Sequence, residues 1–240
     1  MLEEVRVEEA VGLDDYEGEA HLAGLVAALR AEAADVAPRL RGRTVWMVNS
    51  TSQGGGVAEM LPKLVSLLNE AGVRCRWAVI GADRPEFFPL TKRLHNMIHG
   101  QEQPPLDEAE RALYEDVNRR NADVLRGWLA PGDLLVVHDP QPLALGAQLR
   151  AERGIRAVFR SHIGIEGETP SSAAAWDFLR PYALTYDRAV FSLAEYAPPY
   201  LADRLTVIRP AIDPWSHKNR ELSPHKLMGI LCNAGLAPEG

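Results

Sequence analysis

The chain has 240 residues, with 26 Lys and Arg against 33 Asp and Glu, a net charge of −7, and 46% hydrophobic residues. This composition excludes a disordered chain, and the acidic balance argues against nucleic acid, whose phosphates bind basic surfaces. No apolar run reaches the length of a membrane helix, and the acidic N-terminus is unlike a secretory signal, so we expect a cytoplasmic protein with no membrane partner.

The first half of the chain alternates between predicted helices and short apolar strands. An amphipathic helix is expected over 17–36 because Leu22, Leu25, Val26 and Leu29 recur at helical spacing. The next expected elements are a strand at 44–49, a glycine-rich loop, a helix at 57–71, a strand at 73–80, and helices at 88–99 and 107–129.

The second half repeats a strand–helix period. Strands are predicted at 134–137, 155–159, 189–193 and 205–208, with helices at 143–152 and 172–186. Strands that are apolar throughout and alternate with helices indicate a parallel sheet covered on both faces. The predicted fold class is therefore a doubly wound, Rossmann-like α/β domain over 1–212. Residues 213–240 form a linker or tail, with one helix near 225–233.

Three glycines, Gly54, Gly55 and Gly56, follow the first predicted strand and precede a helix. Glycine lets the backbone approach a ligand closely, and a helix N-terminus offers N–H groups to a phosphate or a sugar hydroxyl. A plain flexible turn is the alternative. The loop lacks the ending of a P-loop, and Glu59 stands where the dinucleotide fingerprint needs a third glycine. A nucleotide-cofactor oxidoreductase is therefore a weak alternative.

Polar residues also follow two later predicted strands. His138 and Asp139 lie between the strand at 134–137 and two prolines, and Arg160-Ser161-His162 follows the strand at 155–159. In open parallel sheets ligands bind beyond the carboxyl ends of the strands. Arginine suits a phosphate or carboxylate, and histidine suits a hydroxyl or a developing charge. An ordinary capped helix start with Pro142 in its first turn is the alternative for the first cluster. Three polar clusters at three strand ends favour a ligand crevice.

Neither a metal site nor a serine nucleophile is predicted. His95 and His99 are four residues apart, but Asn96 follows His95 where a metalloprotease helix has glutamate, and no third ligand is evident. Ser161 and Ser192 lack the flanking glycines of a nucleophile elbow. Four aromatic residues at helical spacings are interpreted as core: Trp128, Trp176, Tyr182 and Tyr186.

Several segments along the chain, including the glycine loop and the polar clusters that follow the strands, resemble in the same order the trehalose glycosyltransferring synthases. These enzymes belong to retaining glycosyltransferase family 4. The resemblance extends from about Tyr16 to Leu222. The segments that carry it are 49–59, 87–88 with 91–92 and 95–96, 138–142, 160–163, 176–179, 186–188, and 212–214 with Lys218 and Asn219.

The resemblance implies the N-terminal half of a GT-B enzyme that transfers glucose from a nucleoside diphosphate glucose to glucose. Trehalose forms with retention, without a metal or other cofactor. It implies catalytic roles for His162, which would face the donor sugar, and for Asp139. It also implies substrate contacts from nine other residues: Asn49, Gly54, Gly55, Gly56, Lys92, His95, Asn96, His138 and Arg160.

Members of the resembling family continue into a second half that binds the nucleotide. We therefore expect a missing C-terminal half as partner, or a second copy of the chain, with apolar surface exposed near the tail. Two further alternatives stay open. One is a non-catalytic sugar-binding or interaction module, and the other is an enzyme that resembles trehalose phosphorylases, whose corresponding half is similar.

Overall fold

The computed structural model describes residues 1–8, 12–19, 21–153, 155–216, 219 and 222–236. It divides into two compact units, Met1–Arg209 and Pro210–Gly240. Lys218, part of one resembling segment, lies outside the described residues, as do 217, 220, 221 and 237–240 of the predicted tail.

The first unit is built on one seven-stranded sheet with the spatial order β1-β3-β2-β4-β5-β6-β7. The strands are β1 (Glu3–Val5), β2 (Val45–Asn49), β3 (Cys75–Val79), β4 (Leu134–His138), β5 (Arg156–Ser161), β6 (Arg188–Phe191) and β7 (Leu205–Val207). All neighbours pair in parallel except β1, which pairs antiparallel with β3. The predicted doubly wound, mostly parallel sheet is confirmed.

Seven α-helices connect the strands of this unit within the described residues. They are α1 (Leu13–Glu17), α2 (Ala23–Val36), α3 (Gly56–Glu70), α4 (Phe87–Ile98), α5 (Glu108–Arg126), α6 (Leu143–Arg153) and α7 (Pro170–Ala183). Helix α5 begins at a reciprocal cap, in which Asp107 and Glu110 each accept a hydrogen bond from the other's backbone N–H.

Each face of the sheet has its own apolar core because side chains alternate along a strand. Met47 and Trp77 lie on the face packed by Leu61 and Val65 of α3. The other face carries residues such as Val48, Val137 and Phe159, and packs against α4 to α7. The predicted core aromatics are confirmed: Trp176 and Tyr186 are buried, and Trp128 and Tyr182 pack partly buried against the core.

At the N-terminus the structure differs from the sequence prediction in two ways. The helix expected over 17–36 begins only at Ala23, and its apolar stripe does not face the core, since Leu25 is 67% exposed and only Val26 is buried. Strand β1 was not predicted. It has three residues, two of them glutamates, and its antiparallel pairing with β3 supplies an edge strand that alternation alone could not reveal.

Two carboxylates tie the amino ends of the strands. Asp133 accepts hydrogen bonds from the Thr44 and Ala130 N–H groups, at 2.7 and 2.9 Å. Asp187 accepts both hydrogen bonds of a bidentate Arg150 guanidinium and one from Arg156, each at 3.0 Å. It also accepts the Ala157 N–H at 2.8 Å. This edge of the sheet is therefore held internally, and the opposite edge carries the candidate ligand groups.

Asp187 gives the fold a pH dependence at low pH. Burial raises the pKa of this carboxyl, but hydrogen bonds from Arg150, Ala157 and Arg156 outweigh burial and lower the pKa to about 2. Because the folded-state pKa is lower than the unfolded one, the ionised carboxylate stabilises the folded state at every pH above the unfolded pKa of roughly 4. This stabilisation is lost as the pH falls toward 2. We expect Asp187→Asn to cost about 2 kcal/mol of unfolding free energy at pH 7 and about half of that at pH 3.

Urea unfolding at several pH values measures this difference, with Asp203→Asn as the control because Asp203 is an exposed carboxylate. A cost for Asp187→Asn that stays constant from pH 7 to pH 3 would contradict the assignment.

The second unit contains a turn and one helix among its described residues. The Asp213 carboxylate accepts the Trp215 N–H at 3.0 Å, and its carbonyl accepts from the Asn219 amide at 2.8 Å. Helix α8 (Pro224–Asn233) follows N-cap Ser223, close to the predicted 225–233. Across the described residues of both units, no helix is long and apolar enough to cross a membrane.

Candidate functional site

The carboxyl ends of β2, β4 and β5 form one polar edge. These strands are neighbours, with β2 flanked by β3 on one side and β4 on the other, so the direction of winding reverses at β2. Ligands of open α/β sheets bind at such a switch point. Asn49 ends β2, His138 ends β4, and Arg160 lies directly opposite His138 in β5. The topology therefore brings together the three polar clusters that the sequence placed at strand ends.

His138 and His162 form a hydrogen-bonded pair at this edge, with their rings edge to edge. Their rings are nearly parallel, at 8°, with centroids 5.2 Å apart. Nδ1 of His138 lies 2.9 Å from Nε2 of His162, and Nε2 of His138 lies 3.4 Å from the Met47 sulfur. His138 is buried and His162 is partly buried. The outer ring of the pair is therefore held by an inner ring that is itself fixed in the sheet.

Asp139 holds the backbone that follows this pair. Its φ is +62°, in the left-handed region, and it is the one non-glycine residue with positive φ in the described chain. The carboxylate accepts the His162 backbone N–H at 2.8 Å, and the Asp139 N–H donates to the Arg160 carbonyl at 2.8 Å. Left-handed backbone at a non-glycine residue is strained and often marks a functional site. These two hydrogen bonds of Asp139 join the carboxyl ends of β4 and β5.

The electrostatics of the cluster keep both imidazoles neutral near pH 7. Burial, then His162 and Arg160, lower the pKa of His138 to about 3. Burial and Arg160 lower the pKa of His162 to about 4. Burial raises the pKa of Asp139 to about 6, against the opposing effects of the His162 N–H and Arg160. A carboxyl with a raised pKa beside a neutral histidine is a combination that enzymes use for proton transfer.

Arg160 supplies positive charge beside these groups. One Nη donates to the Ile208 carbonyl at 2.9 Å, and the other Nη is buried and has no hydrogen-bond partner among the described residues. Burial lowers the pKa of the guanidinium, and Asp139 raises it. Because a guanidinium stays charged in proteins, the unused N–H groups suit an anionic oxygen.

The glycine loop is held at one end and open at the other. Asn49 fixes its start, since the amide donates to the Thr51 carbonyl at 2.7 Å and accepts from the Trp77 indole at 2.7 Å. Gly54 and Gly55 have φ of +72° and +87°, and residues 51–56 are exposed. Both polar ends of the Asn49 amide are therefore engaged within the protein, and its contact with a sugar stays a prediction.

Gly55 adopts a conformation that other residues rarely reach. It precedes helix α3 with φ +87° and ψ 157°, a region that is essentially restricted to glycine. We expect Gly55→Ala to lower the unfolding free energy by about 1–3 kcal/mol, or to rearrange the loop at a lower cost. Gly56→Ala is the matched control, because Gly56 begins the helix and a Cβ there meets nothing within 4 Å.

Alanine at Gly56 is expected to be neutral or to stabilise by up to about 1 kcal/mol through its helix propensity. Urea unfolding of both variants checks the pair. Equal stability of the two variants, with equal sugar binding, would show that the positive φ of Gly55 is not required.

Three predicted substrate residues lie on α4 and form a separate group. Lys92 is exposed, while His95 and Asn96 are partly buried. The His95 and His99 rings are 4.8 Å apart, and burial, Lys92 and His99 lower the pKa of His95 to about 4. Among the described residues, no hydrogen bond, ion pair or ring contact joins this group to the His138–His162 pair. No group of three His, Cys, Asp or Glu there could hold a metal ion.

Sequence reasoning missed the residues that brace the turn after β4. The Tyr114 hydroxyl donates to the Pro140 carbonyl at 2.6 Å. Asn118 donates to the Gln141 carbonyl at 3.1 Å and accepts the Leu145 N–H at 3.0 Å. Both side chains are buried on α5. The detectable signal was an asparagine at a core-facing position of a helix, where a polar side chain must find partners.

The chain is similar to known proteins over most of its length. Residues 47–198 match the family model described as the N-terminal domain of trehalose synthase. The chain is 41% identical over 214 residues to trehalose synthase of Rubrobacter xylanophilus, covering 88% of this chain and 50% of the relative. For trehalose synthase of Pyrococcus horikoshii the identity is 40% over 204 residues, covering 85% and 47%. The chain thus spans about half the length of these curated relatives.

Solved structures show the same fold. An Escherichia coli structure described as trehalose-6-phosphate bound with UDP-2-fluoro glucose matches with a TM-score of 0.60 and 17% identity, over 80% of this chain and 54% of that one. An α,α-trehalose-phosphate synthase (UDP-forming) from Burkholderia vietnamiensis matches with a TM-score of 0.55 and 18% identity, over 72% and 49%. The predicted fold class, a doubly wound, Rossmann-like α/β domain, is therefore confirmed.

Proposed function

Because the chain belongs to the trehalose synthase family, we propose that it is the acceptor-side half of a trehalose-forming retaining glycosyltransferase of family 4. The reaction moves glucose from a nucleoside diphosphate glucose to glucose. The observation that carries the proposal is the contact of His138, Asp139, Arg160 and His162 with one another at the switch point of the sheet.

The site chemistry fits transfer of a sugar from a diphosphate. The leaving diphosphate needs N–H donors and positive charge, which the glycine loop at the start of α3 and Arg160 can supply. The oxocarbenium-like sugar needs nearby oxygen acceptors rather than a strong base. Asp139, with a raised pKa, and neutral His162 are suited to hold and orient sugar hydroxyls near the reacting carbon. In this proposal both are catalytic residues.

The acceptor glucose is assigned to Asn49 and the α4 group. Lys92, His95 and Asn96 offer an ammonium, an imidazole and an amide on one helix, and such groups form the hydrogen bonds that hold sugar hydroxyls.

We assign 1–212 to this domain and 213–240 to a linker toward a nucleotide-binding half, or toward a second copy. Exposed apolar side chains support such a partner: Val207 and Ile208 in the first unit, and Leu227, Met228 and Ile230 in the second.

The test measures trehalose and nucleoside diphosphate formed from UDP-glucose or ADP-glucose, with and without glucose. It uses the 240-residue chain alone and the chain fused to the C-terminal half of the Rubrobacter xylanophilus relative. Glucose-dependent release of diphosphate with formation of trehalose is expected from the fusion. Glucose binding without transfer in either form would instead favour a sugar-binding module, and a fusion that neither binds glucose nor turns over would contradict the proposal.

A phosphorylase is the second candidate. The chain is 33% identical over 132 residues to trehalose phosphorylase of Pleurotus sajor-caju, covering 50% of this chain and 17% of the relative. The unused N–H groups of Arg160 would suit inorganic phosphate as well as a diphosphate. Incubation of the fusion with trehalose and phosphate separates the candidates, because only a phosphorylase forms glucose phosphate.

A further inference from the structure

The His138–His162 pair shares a single hydrogen between two ring nitrogens. The nitrogens are 2.9 Å apart, and two neutral imidazoles at this distance need one N–H donor and one bare acceptor. Geometry between the rings alone leaves two arrangements. In one, His138 donates through Nδ1, and in the other His162 donates through Nε2.

The position of the Met47 sulfur decides which of the two hydrogen arrangements is present. Met47 lies on the same face of the sheet as His138, since it pairs with Val136 across β2 and β4. Its sulfur is 3.4 Å from Nε2 of His138. A thioether accepts a hydrogen bond weakly and has no hydrogen to donate. Nε2 of His138 must therefore carry the hydrogen, because a bare nitrogen would set its lone pair against those of the sulfur.

The tautomer of His138 determines the tautomer of His162. With hydrogen on Nε2, a neutral His138 has a bare Nδ1 that must accept from Nε2 of His162. A neutral His162 with hydrogen on Nε2 has a bare Nδ1. We propose that Met47 is a positioning residue that fixes both tautomers and so leaves Nδ1 of His162 as an acceptor for a ligand hydroxyl. That this hydroxyl belongs to a sugar rests on the proposed function.

The surroundings keep both rings neutral, as this assignment of the two tautomers requires. His138 is 2% exposed, and burial is the largest cause that lowers its pKa. Arg160, the cation near both rings, disfavours a second positive charge. The Asp139 carboxylate accepts the backbone N–H of His162, and no hydrogen bond joins it to either ring among the described residues.

The test is nitrogen NMR of the histidine rings in the 240-residue chain. Long-range proton–nitrogen spectra separate protonated from bare ring nitrogens, and the His138→Gln and His162→Asn variants identify the two signals among seven histidines. Met47→Leu keeps the size of the side chain and removes the acceptor. Met60→Leu is the matched control, since Met60 is a 37% exposed residue of α3.

We expect a protonated Nε2 and a bare Nδ1 in both rings of the unsubstituted chain, unchanged by Met60→Leu. Met47→Leu is expected to produce a mixture of tautomers in both rings. A protonated Nδ1 on His138 in the unsubstituted chain would overturn the inference, whether or not the Met47 variant folds, as would identical spectra before and after Met47→Leu. Adding glucose tests the proposed function separately, because a missing shift at His162 leaves the tautomer result intact.

Discussion

Replacing His162 with alanine in the fusion enzyme is expected to lower kcat/KM for trehalose formation by roughly 10²–10³-fold. This is the usual loss when one preorganised polar group is removed from the reacting centre. The substitution removes the outer ring of the hydrogen-bonded pair but keeps the backbone N–H that donates to Asp139. Steady-state rates with UDP-glucose or ADP-glucose measure the effect.

The fold should survive this change. The substitution leaves the buried Nδ1 of His138 without its partner, which costs about 1–3 kcal/mol, so urea unfolding should show a lower midpoint but a folded, cooperative protein. His21→Ala is the control, because His21 is exposed and takes no part in the site. A His162→Ala fusion as active as the unsubstituted fusion would remove His162 from the mechanism.

Gly146→Ala is expected to have the largest effect on stability. A Cβ at this position of α6 would lie 2.1 Å from the Tyr186 hydroxyl and 2.7 Å from a Val137 methyl. Both neighbours are fully buried in the core. Overpacking and loss of the 2.6 Å hydrogen bond from Tyr186 to the Leu143 carbonyl together cost about 3 kcal/mol or more. Thermal or urea unfolding measures the cost.

A double-mutant cycle identifies the cause. Tyr186→Phe removes the hydroxyl that the new methyl would meet, so the double variant should lose less than the sum of the two single variants. Gly24→Ala is the matched control, since Gly24 lies in α2 and a Cβ there meets nothing within 4 Å. A Gly146→Ala variant as stable as Gly24→Ala would mean that the core adjusts to the extra methyl.

The fold could be predicted where burial fixes the pattern. Strands β2 to β6 consist mainly of apolar residues bounded by turn residues, and each was expected within a few positions of its place. Prediction failed where the fold depends on distant partners. The pairing of Glu3 to Val5 with β3, and the exposed Leu25 and Leu29 of α2, depend on which surface happens to be available.

The candidate site divides in the same way. His138, Asp139, Arg160 and His162 could be found because a parallel sheet gathers strand ends, whatever the details of packing. The sequence could not show that Asp139 takes a left-handed conformation, because its φ is set by bonds to β5. The edge-to-edge alignment of the two rings and the sulfur contact of Met47 also arise only from the register of neighbouring strands.

The brace from α5 bears on loop transplantation. The turn at Pro140 and Gln141 is held by Tyr114 and Asn118, more than twenty residues earlier in the chain. A segment grafted from a relative to alter sugar preference would therefore arrive without the side chains that shape it. An exchange of this turn should therefore include the residues at positions 114 and 118 of α5. The turn and these two positions have to be transferred together, although they are far apart in the sequence.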